Sequence, residues 1–422
     1  MIKHQIAESL FCQQQILNHS YTKRTCFVMR VLLVPSSDYV GHPFPQRHNQ
    51  IFERLCNRKN LEVHVVRFKL FDDPRLKTKL VLHELSGKRT RHAAVYYLTN
   101  MFDHTSQIRQ IIREESIDVV VLSNLATPFA YTLMNEISSF RVPVIFDLPD
   151  YYPTSATGYI FGVRSVFGRV LTGLFDSMLR YMVRHATATT VASHALEEYV
   201  RRMGGRNVMY VPNGIGECFL RLYKGNIQRE RFDFHEKDLV AGYVGSLEFW
   251  LDMKSFIDGV SLARSRGLPL KIWLIGSKLH TNFRDKVMQW IKQRDLERHT
   301  EITGFVAYED VPKYVAGFNI GMIPFDVSNP TSFYAAPNKM WEYFSQKKPV
   351  LSTPIYEALC NSNCVFTAST PEDYAQKILA LFRNKTEVRR KTEIGYRKAL
   401  DRTWKRSAEI FASAIYSVID EV

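Results

Sequence analysis

The sequence predicts an α/β protein built from two doubly wound domains facing a cleft, on three observations. Short β-branched runs alternate with amphipathic helical patterns from Met29 onward. The alternation breaks once, at the turn-forming Val211-Pro212-Asn213-Gly214 and the polar stretch Tyr223–Asp238, and restarts at Leu239. A chain of 422 residues, 45% of them hydrophobic, has the length for two domains of about 100–200 residues, each with its own core.

In the first half the strands are expected at Arg30–Pro35, Glu62–Arg67, Ala93–Leu98, Asp118–Leu122, Val142–Phe146, Ala188–Val191 and Val208–Val211. Helical patterns fall at about 45–57, 105–115, 128–138 and 194–203. The run Val119-Val120-Val121-Leu122 has no polar alternation, as expected of a strand buried on both faces. In the second half the strands are Leu239–Gly245, Leu270–Ile275, Glu301–Thr303, Ile320–Pro324, Pro349–Ser352 and Cys364–Phe366, with helices at about 371–383, 386–402 and 404–421. The expected division is an extension over 1–28 with the native start at Met29, Rossmann-like domains over 29–215 and 216–403, and a helix over 404–422 crossing back to the first. Ligands of such sheets bind where the carboxyl ends of the strands meet helix N-termini.

Composition narrows the partners. A net charge of +14 favours polyanions, but the sequence lacks zinc-finger spacing and RRM-like glycine-aromatic runs, so no specific nucleic-acid partner is expected. Six scattered cysteines suit a reducing cytosol, and Cys360 and Cys364 have no second pair to complete a metal site. No run reaches the roughly 18 apolar residues of a spanning helix, and the first residues do not resemble a signal peptide. A cytoplasmic protein is expected.

Four segments carry candidate chemistry. Pro337 suits a helix start, and the helix that follows presents free N–H groups to a diphosphate. Lys339 adds positive charge there, and Glu342, one turn in, can hold two vicinal hydroxyls; the alternative is an ordinary Lys339–Glu342 surface pair. Asp147 and Asp150 follow a buried strand and either orient an acceptor hydroxyl or simply form the turn. Arg47 and His48 follow the first strand, where they meet a leaving phosphate or lie in a solvated loop, and Asn124 ends another strand at the same edge. Residues 159–185 combine a broad apolar surface with Arg169, Arg180 and Arg184; this is either a peripheral membrane contact or a crossover helix packed on its sheet.

The segment Ala335-Ala336-Pro337-Asn338-Lys339-Met340-Trp341-Glu342-Tyr343, with Lys348-Pro349-Val350 behind it, resembles the signature of family 4 (group 1) glycosyltransferases. Val211-Pro212-Asn213-Gly214 is similar to the family's "VPNG", and Gly242-Tyr243-Val244-Gly245-Ser246 to the first strand and glycine loop of its donor domain. Ile275-Gly276, Thr303-Gly304, Asp310-Val311-Pro312 and Ile323-Pro324-Phe325 resemble further family elements in the same order. The resemblance implies the GT-B fold, with the acceptor on the first domain and a nucleotide diphosphate sugar on the second. It places Glu342 on the ribose, Pro337, Asn338 and Lys339 at the diphosphate or sugar, and Gly245 and Ser246 in the phosphate loop.

The sequence departs from the family at two places. Tyr334 stands where the family carries a glutamate contacting the transferred sugar, and the glycine loop lacks the usual arginine. Lys254 is a substitute cation, and Trp250 either stacks on base or sugar or belongs to the core. The resemblance implies a retaining, metal-independent transfer of sugar to a hydroxyl of a glycan or lipid-linked acceptor, and Trp250 and Asp252 resemble a divergent branch acting on cell-envelope polysaccharides or lipid-linked saccharides; no cofactor is expected besides the nucleotide-sugar substrate. The alternatives are a nucleotide-sugar epimerase or hydrolase on the same scaffold, or a catalytically reduced partner of a glycosylation complex.

Overall fold

Seven parallel strands form the first sheet, in the order β3-β2-β1-β4-β5-β6-β7. They are β1 (Met29–Val34), β2 (Leu61–Arg67), β3 (Val81–Glu84), β4 (Val119–Ser123), β5 (Val144–Leu148), β6 (Ala188–Val191) and β7 (Val208–Tyr210). The second sheet has six parallel strands in the order β10-β9-β8-β11-β12-β13. These are β8 (Leu239–Val244), β9 (Leu270–Ile275), β10 (Thr300–Gly304), β11 (Ile320–Ile323), β12 (Val350–Ser352) and β13 (Phe366–Thr367). This computed structural model describes residues 28–419, apart from 91, 125, 155–156, 158–164, 225, 233, 236 and 277–281.

Successive residues of a strand face opposite sides, and here both sides are cores. Leu32, Val34, Val120 and Leu122 enter one apolar cluster of the first sheet, while Val31, Leu33, Val119 and Val121 enter another. Trp404, Phe411 and Ile415 of the last helix, Trp404–Ser417, complete the second of these clusters, and Phe411 meets Phe52 of the Arg47–Leu55 helix at 5.1 Å. The second sheet has its own cluster, centred on Trp273, Tyr343 and Phe256.

One expected strand is a helix. Ala93–Thr99 is helical, although its aromatic, β-branched composition favours a strand. Tyr96 and Tyr97 are adjacent and both buried. A strand would point them to opposite faces, whereas neighbouring helical positions set Tyr96 against His104 and Tyr97 against Phe68 and Phe129. The edge position goes to β3, four residues of which none is buried, too polar to stand out in the sequence. The Tyr223–Asp238 stretch contains a short helix, Asn226–Arg231.

The chain passes between the two halves twice, side by side. Ile215 donates its N–H to the Arg402 carbonyl at 2.8 Å, and a Cβ on Gly214 would lie 2.3 Å from the Trp404 nitrogen. Only glycine allows that approach. The carboxyl edges of the two sheets meet through the loops beyond them: Ser193, after β6, donates to the Tyr334 carbonyl at 2.7 Å, and His194 contacts Glu357, after β12, at 3.0 Å. A cleft bounded by both carboxyl edges follows.

Candidate functional site

The second sheet supplies a helix start with unsatisfied polar groups. The Asn338–Ser345 helix begins at Pro337 without a side-chain cap, and the Asn338 Oδ1 is buried without a partner. An uncapped N-terminus keeps its donors and dipole for an anion. Gly245 and Gly276 follow the ends of β8 and β9 and lie against each other, with Gly245 beside Lys339 of this helix. Their φ angles are +136° and +137°, and a Cβ on Gly276 would lie 2.1 Å from the Gly245 carbonyl oxygen. A Cβ on Gly245 would come within 3.1 Å of the Lys339 Nζ. A side chain at Gly276 would strike the Gly245 backbone, and one at Gly245 would crowd the Lys339 ammonium.

Lys339 and Glu342 hydrogen-bond to different tyrosines, and Glu342 is buried, so they are not the surface pair that the spacing allows. The Lys339 ammonium lies 4.5 Å from the Tyr243 ring centroid and 4.8 Å from that of Phe325, and donates to the Tyr243 hydroxyl at 3.3 Å. The protein around it lowers its pKa to about 8, against the opposing effect of Glu342. Glu342 is buried, and burial raises its carboxyl to about 7 even though Tyr308 donates to it and Lys339 is near. The Tyr308 hydroxyl gives this hydrogen bond at 2.9 Å while accepting the Gly216 N–H at 3.2 Å. Tyr308 thus joins the donor side to the first interdomain crossing. In the sequence it is only an aromatic residue shortly before Asp310, and nothing in its spacing marks it.

The remaining donor-side candidates divide. The Ser246 carbonyl accepts from the Tyr243 hydroxyl at 2.9 Å, which shapes the glycine loop. Trp250 packs at the margin of the core beside Phe249, and its carbonyl accepts from Ser332 Oγ at 2.6 Å. Lys254 pairs with Asp258 at 2.8 Å, one turn along its own helix, and Asp258 also receives Arg294. Tyr334 leaves the donor side altogether and packs on Tyr151 and Tyr199 of the first domain.

Across the cleft, Asp147 stands next to last in β5, fully buried. It receives Arg47 at 3.4 Å, contacts His48 Nε2 at 3.1 Å and accepts from Thr190 at 2.7 Å. Burial alone would raise its pKa, but Arg47, His48 and Thr190 outweigh burial and hold the carboxyl well below the usual range. Arg47 also donates to Asn213 Oδ1 at 2.7 Å and to the Val211 carbonyl at 2.9 Å, so the network clasps the first interdomain crossing. Ser123 Oγ lies 2.8 Å from His48 Nε2. Asp150, three residues on, is reached by solvent, yet the protein crowding it raises its carboxyl to about 6, opposed by Arg47. Asn124, at the end of β4, is buried with both amide atoms unpartnered.

Among the described residues two clusters have the ligand types and proximity for a metal ion, His64–His83–Glu115 and His194–Glu357–Cys360. Neither contains a residue of the donor side or of the Asp147 network.

Comparison with known proteins decides the family. The family described as a glycosyl transferase 4-like domain matches residues 47–214, and that described as glycosyl transferases group 1 matches residues 238–384. The chain belongs to the group 1 glycosyltransferases. The transferase shares its fold with sucrose-phosphate synthase of Thermosynechococcus elongatus, with a TM-score of 0.74, 13% identity, and coverage of 93% of this chain and 100% of that one. Anabaena HepE, solved with UDP, aligns with a TM-score of 0.65 and 16% identity over 92% of this chain and 100% of that one. WaaG, a glycosyltransferase of lipopolysaccharide biosynthesis, aligns with a TM-score of 0.64 and 14% identity over 91% and 99%. No curated protein sequence matches the transferase. The two parallel sheets with their helices are the paired Rossmann-like domains of a GT-B transferase.

Of the segment 159–185 singled out for membrane contact, residues 159–164 lie outside the described ones. The helix Val166–His185 has two halves. Leu179, Met182 and Val183 are buried in the first domain's core, as a crossover helix requires. Val166, Phe167, Val170 and Leu174 are exposed, at 69%, 57%, 66% and 49%. No helix among the described residues is long and apolar enough to cross a membrane.

Proposed function

We propose that this transferase moves a sugar from a nucleotide diphosphate sugar to a hydroxyl of a glycan or lipid-linked acceptor, with retention and without a metal ion. The product belongs to a cell-surface polysaccharide or glycoconjugate made on the cytoplasmic face of a membrane. One observation carries this: Glu342, Lys339, Asn338 and an uncapped helix start lie on one short helix beside the Gly245 loop, with their charges and polar atoms poorly compensated. A nucleoside diphosphate supplies the missing partners. Its ribose hydroxyls donate to Glu342, and its phosphates lie against Lys339 and the free N–H groups. The UDP and UDP-glucose complexes of HepE support the class of donor.

In the transfer, the bond from the anomeric carbon to the diphosphate oxygen breaks as the acceptor oxygen bonds to that carbon. The acceptor proton passes to the departing phosphate oxygen. Lys339 and the helix start stabilise the charge that develops there. Asp150 is the carboxylate that orients the acceptor hydroxyl, since Asp147 is already saturated. The exposed apolar residues of Val166–Leu174, beside Arg169 and in a chain of net charge +14, rest on anionic lipid.

Thermal shift with a panel of UDP-, GDP-, dTDP- and ADP-sugars tests the donor, because a bound donor stabilises the native state. Stabilisation by none of them would sink the proposal. Flotation with anionic vesicles tests the membrane contact: the wild type should float and Val170→Asp should not. Equal flotation of both would remove the membrane contact.

A further inference from the structure

Tyr334 ends a tightly held turn. Asn329 Oδ1 accepts the Thr331 N–H at 3.0 Å, and the Tyr334 N–H returns to the Pro330 carbonyl at 3.0 Å. The ring leaves this turn and crosses to the other domain. Its centroid lies 5.1 Å from that of Tyr151 and 5.0 Å from that of Tyr199. Tyr151 and Tyr199 are themselves edge-to-face at 5.5 Å, and both donate their hydroxyls to the Asp176 carboxylate, Tyr151 at 2.8 Å. Both partner rings are therefore fixed before Tyr334 arrives. The Ser193 hydroxyl, donating to the Tyr334 carbonyl, fixes the backbone at the same joint. Three residues later Pro337 starts the helix that carries Asn338, Lys339 and Glu342.

We propose that Tyr334 is an interdomain positioning residue. Its ring, wedged against Tyr151 and Tyr199, locks the loop before the donor helix onto the first domain, so that the helix start and the acceptor edge are held in register for transfer. The residue acts on closure rather than on the donor. Two ring contacts of this kind bias a domain equilibrium without freezing it. Asp176 lies on the same helix as the exposed apolar residues Val166–Leu174, so the joint and that surface share one rigid element.

The kinetic test rests on the transferase reading above. With UDP-glucose as donor probe, Tyr334→Ala should lower kcat on the order of tenfold to a hundredfold while leaving donor KM within about twofold. Tyr334→Phe should restore the rate, because the contact is made by the ring. Tyr199→Ala should cause the same loss from the other side, and the double substitution should be no worse than either single one. Additive losses, a rise in donor KM at unchanged kcat, or failure of Tyr334→Phe to rescue would each overturn the proposal. If no sugar nucleotide is turned over, the transferase reading itself has failed, and the same cycle read by hydrogen exchange of residues 330–340 still decides the joint. Faster exchange in Tyr334→Ala and Tyr199→Ala, non-additive in the double variant, supports the wedge, and unchanged exchange refutes it.

Discussion

The two edges of the cleft hold their charges in opposite ways. On the first domain, Asp147 is buried among Arg47, His48 and Thr190, and its carboxyl is held firmly ionised. On the second, Glu342 is equally hidden but is pushed up to about 7, and Lys339 down to about 8. Both edges arose from strand ends and helix starts in similar folds. One is finished by the protein itself, and the other is finished only when an anion with vicinal hydroxyls arrives. A buried charge whose pKa is driven toward neutrality points to an absent partner, whereas one driven further into ionisation points to partners already present.

Removing a charge from the finished edge should have the largest effect. Asp147→Asn leaves Arg47 and His48 facing each other without their carboxylate, and such uncompensated burial costs about 3–5 kcal/mol. Urea unfolding should show that loss. A cost below about 1 kcal/mol would mean that the network is not what holds the Val211–Gly214 crossing. Glu342→Gln makes the opposite trade. It removes a poorly compensated charge, so stability should change little, while donor affinity should fall by about 1.5–3 kcal/mol, or roughly tenfold to a hundredfold, as the charge-assisted hydrogen bonds are lost. Calorimetric titration with the donor found in the sugar-nucleotide panel measures it. If both substitutions destabilise the fold equally, the contrast between the edges is wrong.

The sequence made the fold legible because burial on both faces leaves long apolar runs, and eleven of the thirteen described strands extend over at least half of their expected spans, from β1 to β12. It failed where packing overrode propensity. Tyr96 and Tyr97 look like strand residues but fill one side of a helix, and β3 is too short and polar to show. At the site, Pro337, Asn338, Lys339 and Glu342 come from one contiguous segment, and so their grouping could be seen in advance. The partners of Asp147 come from places far apart in the chain, with 100 residues to Arg47 and 43 to Thr190, and Tyr308 reaches Glu342 across 34 residues. Such contacts are set by topology, and no local pattern encodes them. The same holds for Tyr334, whose identity is visible in the sequence but whose destination in the other domain is not.

The smallest effect is the most specific to the unfinished edge. Donor binding needs Glu342 ionised to accept the ribose hydroxyls and Lys339 protonated to meet the diphosphate. In the free protein Glu342 gains its charge as pH rises through about 7, and Lys339 loses its charge as pH rises through about 8. Affinity for a sugar nucleotide, whose own diphosphate does not titrate in this range, should therefore improve toward about 7, peak between about 7 and about 8, and weaken above. The change on each side is about 1.4 kcal/mol per pH unit at its steepest. Glu342→Gln should flatten the acidic limb and Lys339→Arg the alkaline one, because an arginine stays charged throughout. Asp147, already ionised across this whole range by its partners, contributes no limb of its own. A donor-affinity profile that is flat from pH 6 to 9 in the wild type would show that Glu342 and Lys339 do not meet the donor, and the difference between the two edges would then have a structural rather than a ligand-binding origin.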